Sequence, residues 1–237
     1  MTNTPLGNRT ELPPHVALVD LLPVESSQPC FRRDDFRALT EAVEAAADQR
    51  KRAVVIRSIR PEQFCVGADL EDAQQYAQDP REYIAEVNAC WTTIERTGVA
   101  VIVAVDGPAV GAGFELCLCA DQVIASDRAW FSFPEVRFGL PALSAARRLE
   151  GVVGRLQARR ILLSGSRIGS SEALGLGLVS QVVSPPELEA TAITLADSFA
   201  RSGVAAMAAL KDVLSTEVPD PDVTSLWFRR ALGATPS

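Results

Sequence analysis

The stretch Val105–Asp121, VDGPAVGAGFELCLCAD, constrains this chain more than any other. An apolar run, Val101–Val105, leads to a Gly-Pro turn at Gly107–Pro108, and Gly111, Ala112 and Gly113 follow closely. Small residues let a backbone come close to a ligand and reach torsions that a Cβ forbids. A helix that begins near Gly111 leaves its first N–H groups without partners inside the helix, at the positive end of its dipole. Such a place can hold an oxyanion. Glu115 then lies about one turn in, between Phe114 and Leu116. A carboxylate in apolar company has a raised pKa, which suits proton transfer. The residues alone leave a second reading open: a tight strand-to-helix connection whose glycines serve packing.

Composition narrows the classes. A chain of 237 residues with 47% hydrophobic residues can bury a sizeable core. A net charge of −7 argues against a general nucleic-acid or anionic-membrane surface. No apolar run approaches the roughly 18–20 residues of a membrane span. The opening MTNTPLGNRTELPP lacks the basic-then-apolar order of a signal peptide. Five cysteines without CxxC spacing read as reduced, mostly buried thiols in a cytoplasmic protein. With His15 as the single histidine, no metal site is expected.

In chain order, residues 1–14 read as a flexible leader. Strands are expected at Val16–Leu22, Ala53–Ser58, Val101–Val105, Gln122–Ala125, Trp130–Ser132 and Val179–Val183. Helical spacing marks Asp34–Ala47, where Phe36, Leu39, Val43 and Ala46 share a face and Asp34 or Asp35 favours the N-terminus. It also marks 81–97, with Ile84, Val87, Trp91 and Ile94 on one side. Further helices are expected at 156–163, 171–176 and 187–202. Strands alternate with helices early and helices dominate late, which makes an α/β core followed by a helical section. The expected division is a core over 15–185 and a helical region over 186–237.

Three segments then carry a resemblance. Phe64–Leu70, FCVGADL, is like F-x-x-G-A-D-[LI]. Val105–Asp121 is like V-x-G-x-A-x-G-G-G-x-E-[LM]-x-x-x-C-D, with Ala112 at the middle glycine and Ala120 before the aspartate. Phe131–Glu135 with Gly139 is like F-x-x-P-E-x-x-x-G. Segments 154–165 and 172–180 add two weaker matches. In this order and spacing the chain resembles the enoyl-CoA hydratase/isomerase, or crotonase, superfamily over roughly 16–185.

The resemblance implies a crotonase-like spiral of ββα turns with a C-terminal helical trimerisation region. It implies acyl-CoA thioesters as ligands, a homotrimer or dimer of trimers, and no cofactor beyond the CoA of the substrate. It places an oxyanion hole on the backbone N–H groups of Ala68 and Ala112, and two catalytic glutamates at Glu115 and Glu135. Glu115 is assigned to water activation and Glu135 to the Cα proton. Gly67, Leu70, Gly111, Phe114, Phe138 and Leu140 are the expected substrate-lining residues. Asp69 reads as a helix cap and Asp121 as a turn or cap residue.

The chain also departs from the family. The P-x-x-x-N-A-[LF] turn after the first strand is replaced by Leu22–Phe31, which has no Asn-Ala, and Arg32, Arg33 and Arg60 are the nearby candidates for CoA phosphates. The Pro-Gly-x-Gly-Gly turn is replaced by PALSAA at 141–146, and the C-terminal acidic-aromatic segment by 220–230. Both glutamates favour a hydratase. An isomerase or other enolate chemistry, and a non-catalytic acyl-CoA-binding accessory subunit, are the alternatives.

Overall fold

A computed structural model describes residues 12–21 and 29–215. The expectations for most of the leader, for the replaced turn at 22–28 and for the segment 220–230 lie outside the described residues. Eight strands and eight α-helices are present among them. Five strands form one parallel sheet: β1 (Val16–Asp20), β2 (Ala53–Arg57), β3 (Ala100–Val105), β5 (Gln122–Ser126) and β8 (Gln181–Val183), adjacent in that order. A second sheet holds β4 (Pro108–Val110), β6 (Trp130–Ser132) and β7 (Ile168–Gly169); β4 and β6 run parallel, and β6 and β7 antiparallel.

The larger sheet is buried on both faces, which is why its strands read as unbroken apolar runs rather than alternating ones. Side chains on a strand point alternately to its two sides. Val54, Ile56, Val101, Val103 and Val105 join one core with α1 (Arg33–Asp48), α3 (Arg81–Arg96) and α4 (Ala112–Cys119). Ala53, Val55, Ala100, Ile102 and Ala104 join another, under α7 (Leu188–Phe199), through Leu188, Ala192, Ile193 and Ala196.

Each turn of the chain contributes a strand to the large sheet, a short extended piece beside it, and then a helix. β3, β4 and α4 make one turn; β5, β6 and α5 (Leu143–Ser164) make the next. In the two earlier turns the short piece shrinks to a single bridge, Phe31 to Ala68 before α1 and Cys65 to Ala109 before α2 (Leu70–Gln74). This is the ββα spiral that the resemblance implies.

Several details differ from expectation. Pro108 does not sit in a plain turn; it opens β4, where proline's missing N–H is tolerated in a short strand. PALSAA is not a loop throughout, because α5 starts at Leu143 and runs to Ser164 with a break at Gly154, whose φ is +74°. Without the family's glycines nothing in 143–146 opposes helix. Arg33 opens α1, and Asp35 reaches back to the backbone N–H of Arg32 at 2.7 Å. The Arg33 guanidinium is not free for phosphate: it forks onto Glu86 at 2.6 and 2.8 Å, meets Glu82, and lies over the Tyr76 ring, tying α1 to α3.

Asp121 does more than cap. Its Oδ2 accepts from Val101 N at 2.7 Å and from the buried Lys211 Nζ at 2.6 Å, which also donates to Val99 O at 3.1 Å. Beyond α6 (Ser170–Gly175) and α7, the pair fastens α8 (Val204–Leu214) to the start of β3. Burial lowers the Lys211 pKa, and Asp121 opposes that. Lys211→Met is expected to cost about 1–3 kcal/mol, since it strips a charged partner from Asp121 and the donor from Val99; urea unfolding of the variant checks this.

Candidate active site

The parallel bridge from Cys65 to Ala109 builds the site. Cys65 N donates to Pro108 O at 3.0 Å and Val110 N donates to Cys65 O at 2.8 Å, so the two segments advance in step. Three residues further along each lie Ala68 and Ala112. Gly67 turns the first loop with φ +113°, a conformation that suits glycine. Gly111 turns the second with φ +51°, immediately before α4. A Cβ built on Gly111 would stand 3.6 Å from Gly67 Cα, so the loops are in contact at this point. Among the described residues, neither the Ala68 nor the Ala112 N–H donates to a backbone acceptor.

Gly113 locks the same crossing. A Cβ there would overlap Cys65 O and come within 2.7 Å of Cys65 Cβ. Asp69 is structural as expected: it caps α2, accepting from Glu71 N at 3.0 Å and Asp72 N at 3.2 Å.

These loops border a cavity of about 240 Å³. Gly67, Ala68, Gly111, Ala112, Glu115 and Glu135 all line it. Phe36, Ala73, Tyr83, Ile84 and Val87 give it an apolar wall from α1, α2 and α3. Leu70, Phe138 and Leu140 also line it, with Leu70 and Phe138 more than half exposed, which puts them at its mouth. Pro141–Ser144 border it as well, so the replaced turn still forms part of the wall.

Phe114 is the correction. It does not line the cavity; it is fully buried and stacks on Phe133 at 4.5 Å and against Phe131 at 5.2 Å. Residues 114 and 115 are 100° apart around the helix, so when Glu115 faces the cavity Phe114 faces the core between α4 and β6.

Glu115 and Glu135 are both held in apolar surroundings. Burial pushes each carboxyl up to about 7. For Glu115, the Arg148 guanidinium opposes the rise and the Glu135 carboxyl adds to it. Glu115 Oε1 and Glu135 Oε2 are buried without a hydrogen-bond partner. Glu135 opens a 3-10 turn, Glu135–Phe138, and its Oε1 lies where a Cβ on Gly111 would intrude, at 2.7 Å. Glycine at 111 is thus needed twice, for its torsion and for the room it leaves the second carboxyl.

Four residues around Glu115 escape a reading by motif. Arg148 Nη1 lies 3.9 Å from Glu115 Oε1, while its fork is closed by Glu95 at 2.7 and 2.8 Å. The buried Trp91 Nε1 lies near Glu115 without meeting it in hydrogen-bond geometry, and Asn88 Nδ2, one turn away on α3, is buried without a partner beside the cavity. The helical spacing of residues 88, 91 and 95 could have marked one face of α3, but not that it faces α4.

A profile of the enoyl-CoA hydratase/isomerase family matches residues 31–234. The chain belongs to the enoyl-CoA hydratase/isomerase family. It is 35% identical over 167 residues to a carnitinyl-CoA dehydratase of Proteus mirabilis, covering 70% of this chain and 64% of that one. The alignment therefore spans just under two thirds of that relative. Among solved structures, the enoyl-CoA hydratase of Bacillus anthracis superposes with a TM-score of 0.76 at 26% identity, over 92% of this chain and 86% of that one. The structure of Pseudomonas aeruginosa DspI gives 0.74 at 28% identity, over 84% and 82%. No helix of the described residues is long and apolar enough to cross a membrane.

Proposed function

We propose that this family member is an enoyl-CoA hydratase, adding water reversibly to a 2-enoyl-CoA to give a 3-hydroxyacyl-CoA. The observation that carries the reading is that Glu115 and Glu135 line one cavity beside the amides of Ala68 and Ala112, which donate to no backbone acceptor among the described residues. The thioester oxygen accepts from both amides. As water attacks Cβ, Glu115 takes its proton, and the oxygen in the amide pair carries the enolate charge. Glu135 then gives its proton to Cα. Transfer of a proton from Glu115 to Glu135 restores the starting state. Each preplaced amide is worth about 3–4 kcal/mol of transition-state stabilisation.

Two acids with pKa values near 7 suit this work, because one can be ionised while the other holds its proton. The apolar wall of Phe36, Ala73, Tyr83, Ile84 and Val87 receives the acyl group. No cofactor is needed beyond the CoA of the substrate. The name of the Proteus relative, a dehydratase, describes the same class of reaction run toward loss of water. We read the protein as cytoplasmic and as a homotrimer or dimer of trimers. The exposed Leu156 and Leu163 on α5, with Leu210, Val213 and Leu214 on α8, support self-association.

The test is loss of enoyl absorbance on mixing the protein with 2-enoyl-CoA esters of several chain lengths. Turnover is expected to follow a bell-shaped pH profile centred near pH 7, since it requires one carboxylate and one carboxylic acid. A rate that is flat from pH 5 to pH 9 would overturn the acid–base assignment. Shift of the double bond in 3-enoyl-CoA without hydration would replace the reading by an isomerase.

A further inference from the structure

The cluster behind Glu115 is unusual in its charge count. Arg148 and Glu95 are almost completely buried, with side-chain exposures of 1% and 9%, and Glu115 beside them is 12% exposed. The guanidinium has one charge, and two carboxylates stand within reach of it. They are not treated alike. Glu95 takes both Nε and Nη2 of the fork, at 2.7 and 2.8 Å. Nη1 donates to Ser144 O at 2.9 Å, one turn back along α5. Glu115 is left at 3.9 Å, beyond hydrogen-bond distance, with its Oε1 unpartnered.

A bidentate pair fixes a guanidinium in plane and orientation, which a single contact does not. With Glu95 in the fork, the arginine cannot swing toward Glu115 without breaking two charge-assisted hydrogen bonds. Were the fork open, the nearest acceptor for a buried arginine would be the Glu115 carboxylate, because a buried charge requires a counter-ion. A carboxylate in a close arginine pair is a weak base.

Resting on the hydratase reading for its purpose, we propose that Glu95 is a positioning residue that holds the Arg148 guanidinium off Glu115 and so leaves that carboxylate free to exchange a proton. The pair sits deep enough to matter and touches no substrate-lining atom: neither Glu95 nor Arg148 borders the cavity. The arrangement lets a positive charge steady the ionised form of Glu115 from 3.9 Å without consuming it.

Other groups facing Glu115 do not supply the same control. Glu135 approaches from the 3-10 turn, Tyr83 and Cys90 from α3, and Cys119 from its own helix. The tyrosine and both thiols are driven by burial toward their neutral forms, so Arg148, Glu95 and Glu135 are the charges that act on it.

The test follows the Glu115 carboxyl itself, by infrared titration of its carbonyl band, assigned by difference against Glu115→Gln. In Glu95→Gln the arginine closes on Glu115, and the midpoint is expected to fall by about one pH unit or more, with kcat down about tenfold and KM little changed. In the double variant Glu95→Gln, Arg148→Gln both charges are gone, and the midpoint is expected to rise above that of Glu95→Gln. Loss of the Glu95 charge lowers the midpoint even with the arginine in place, so Glu95→Asp, which keeps the charge and opens the fork, decides the matter. A midpoint that falls there too supports movement of the arginine, and one that stays overturns it. An unmoved or raised midpoint in folded Glu95→Gln overturns the proposal. If Glu95→Gln does not fold, Glu95→Asp opens the fork by one methylene and carries the same expected sign, with the same overturning result. The titration needs no turnover, so a midpoint that falls in Glu95→Asp, in a protein that hydrates no enoyl-CoA, supports the positioning role and sinks the hydratase reading.

Discussion

Glu115→Gln and Glu135→Gln are each expected to lower kcat for enoyl-CoA hydration by about 10²–10⁴-fold, the usual contribution of one positioned acid or base. The double variant falls far short of the product of the two, because the carboxyls serve one proton circuit. Steady-state rates at saturating substrate check this, and near-normal turnover in either single variant would remove the roles assigned here.

The same two variants carry a second signature, in stability. In the folded protein each carboxyl titrates near 7 rather than 4.5, so between those values the folded state holds protons that the unfolded chain has released. Stability therefore falls as pH rises through this window, by on the order of 3 kcal/mol for each group. Below about pH 4.5 both states are protonated and the effect is absent. Glutamine cannot ionise, so either variant is expected to unfold at higher urea than the wild type at pH 8 and at nearly the same urea at pH 4.5. Loss of rate together with gain of stability is the behaviour of a residue kept for chemistry at the expense of the fold.

Gly113→Ala is expected to damage both the fold and the site. The added Cβ would overlap the carbonyl of Cys65 and stand 2.7 Å from its Cβ, and neither is the end of a flexible side chain. The crossing between the Cys65 loop and α4 must open. Overpacking of this kind costs about 1–3 kcal/mol. Because Ala68 and Ala112 ride on the two segments being forced apart, kcat is expected to fall by about 10²–10³-fold, as when one oxyanion donor is lost. A thermal melt and a rate measurement on the same sample separate the two losses. A variant that keeps full turnover would show that the amides do not act together. Gly151→Ala is a useful contrast, since a Cβ there meets nothing within 4 Å and the backbone is not in the left-handed region.

Much of the architecture was legible because the physical causes are local. The apolar runs at 53–56 and 100–105 mark strands covered on both faces, and Phe36, Leu39, Val43 and Ala46 mark the buried side of α1. Asp69 two and three residues before Glu71 and Asp72 reads as a cap, and caps the helix in the structure. Phe114 was misplaced because sequence adjacency to Glu115 says nothing about which side of a helix faces a cavity. Arg33 was misplaced because its acid partners, Glu82 and Glu86, arrive from a helix some fifty residues away.

By itself the sequence determined that glycines and small residues at 107–113 allow a close backbone crossing, and that acids stand at 115 and 135. Only the tertiary structure decided that both acids border one cavity, that Glu95 rather than Glu115 takes the arginine fork, and that the missing glycines at 141–146 give way to helix. The reason is range: torsional freedom and apolar pattern belong to neighbouring residues, whereas burial and charge pairing depend on segments brought together from far apart in the chain.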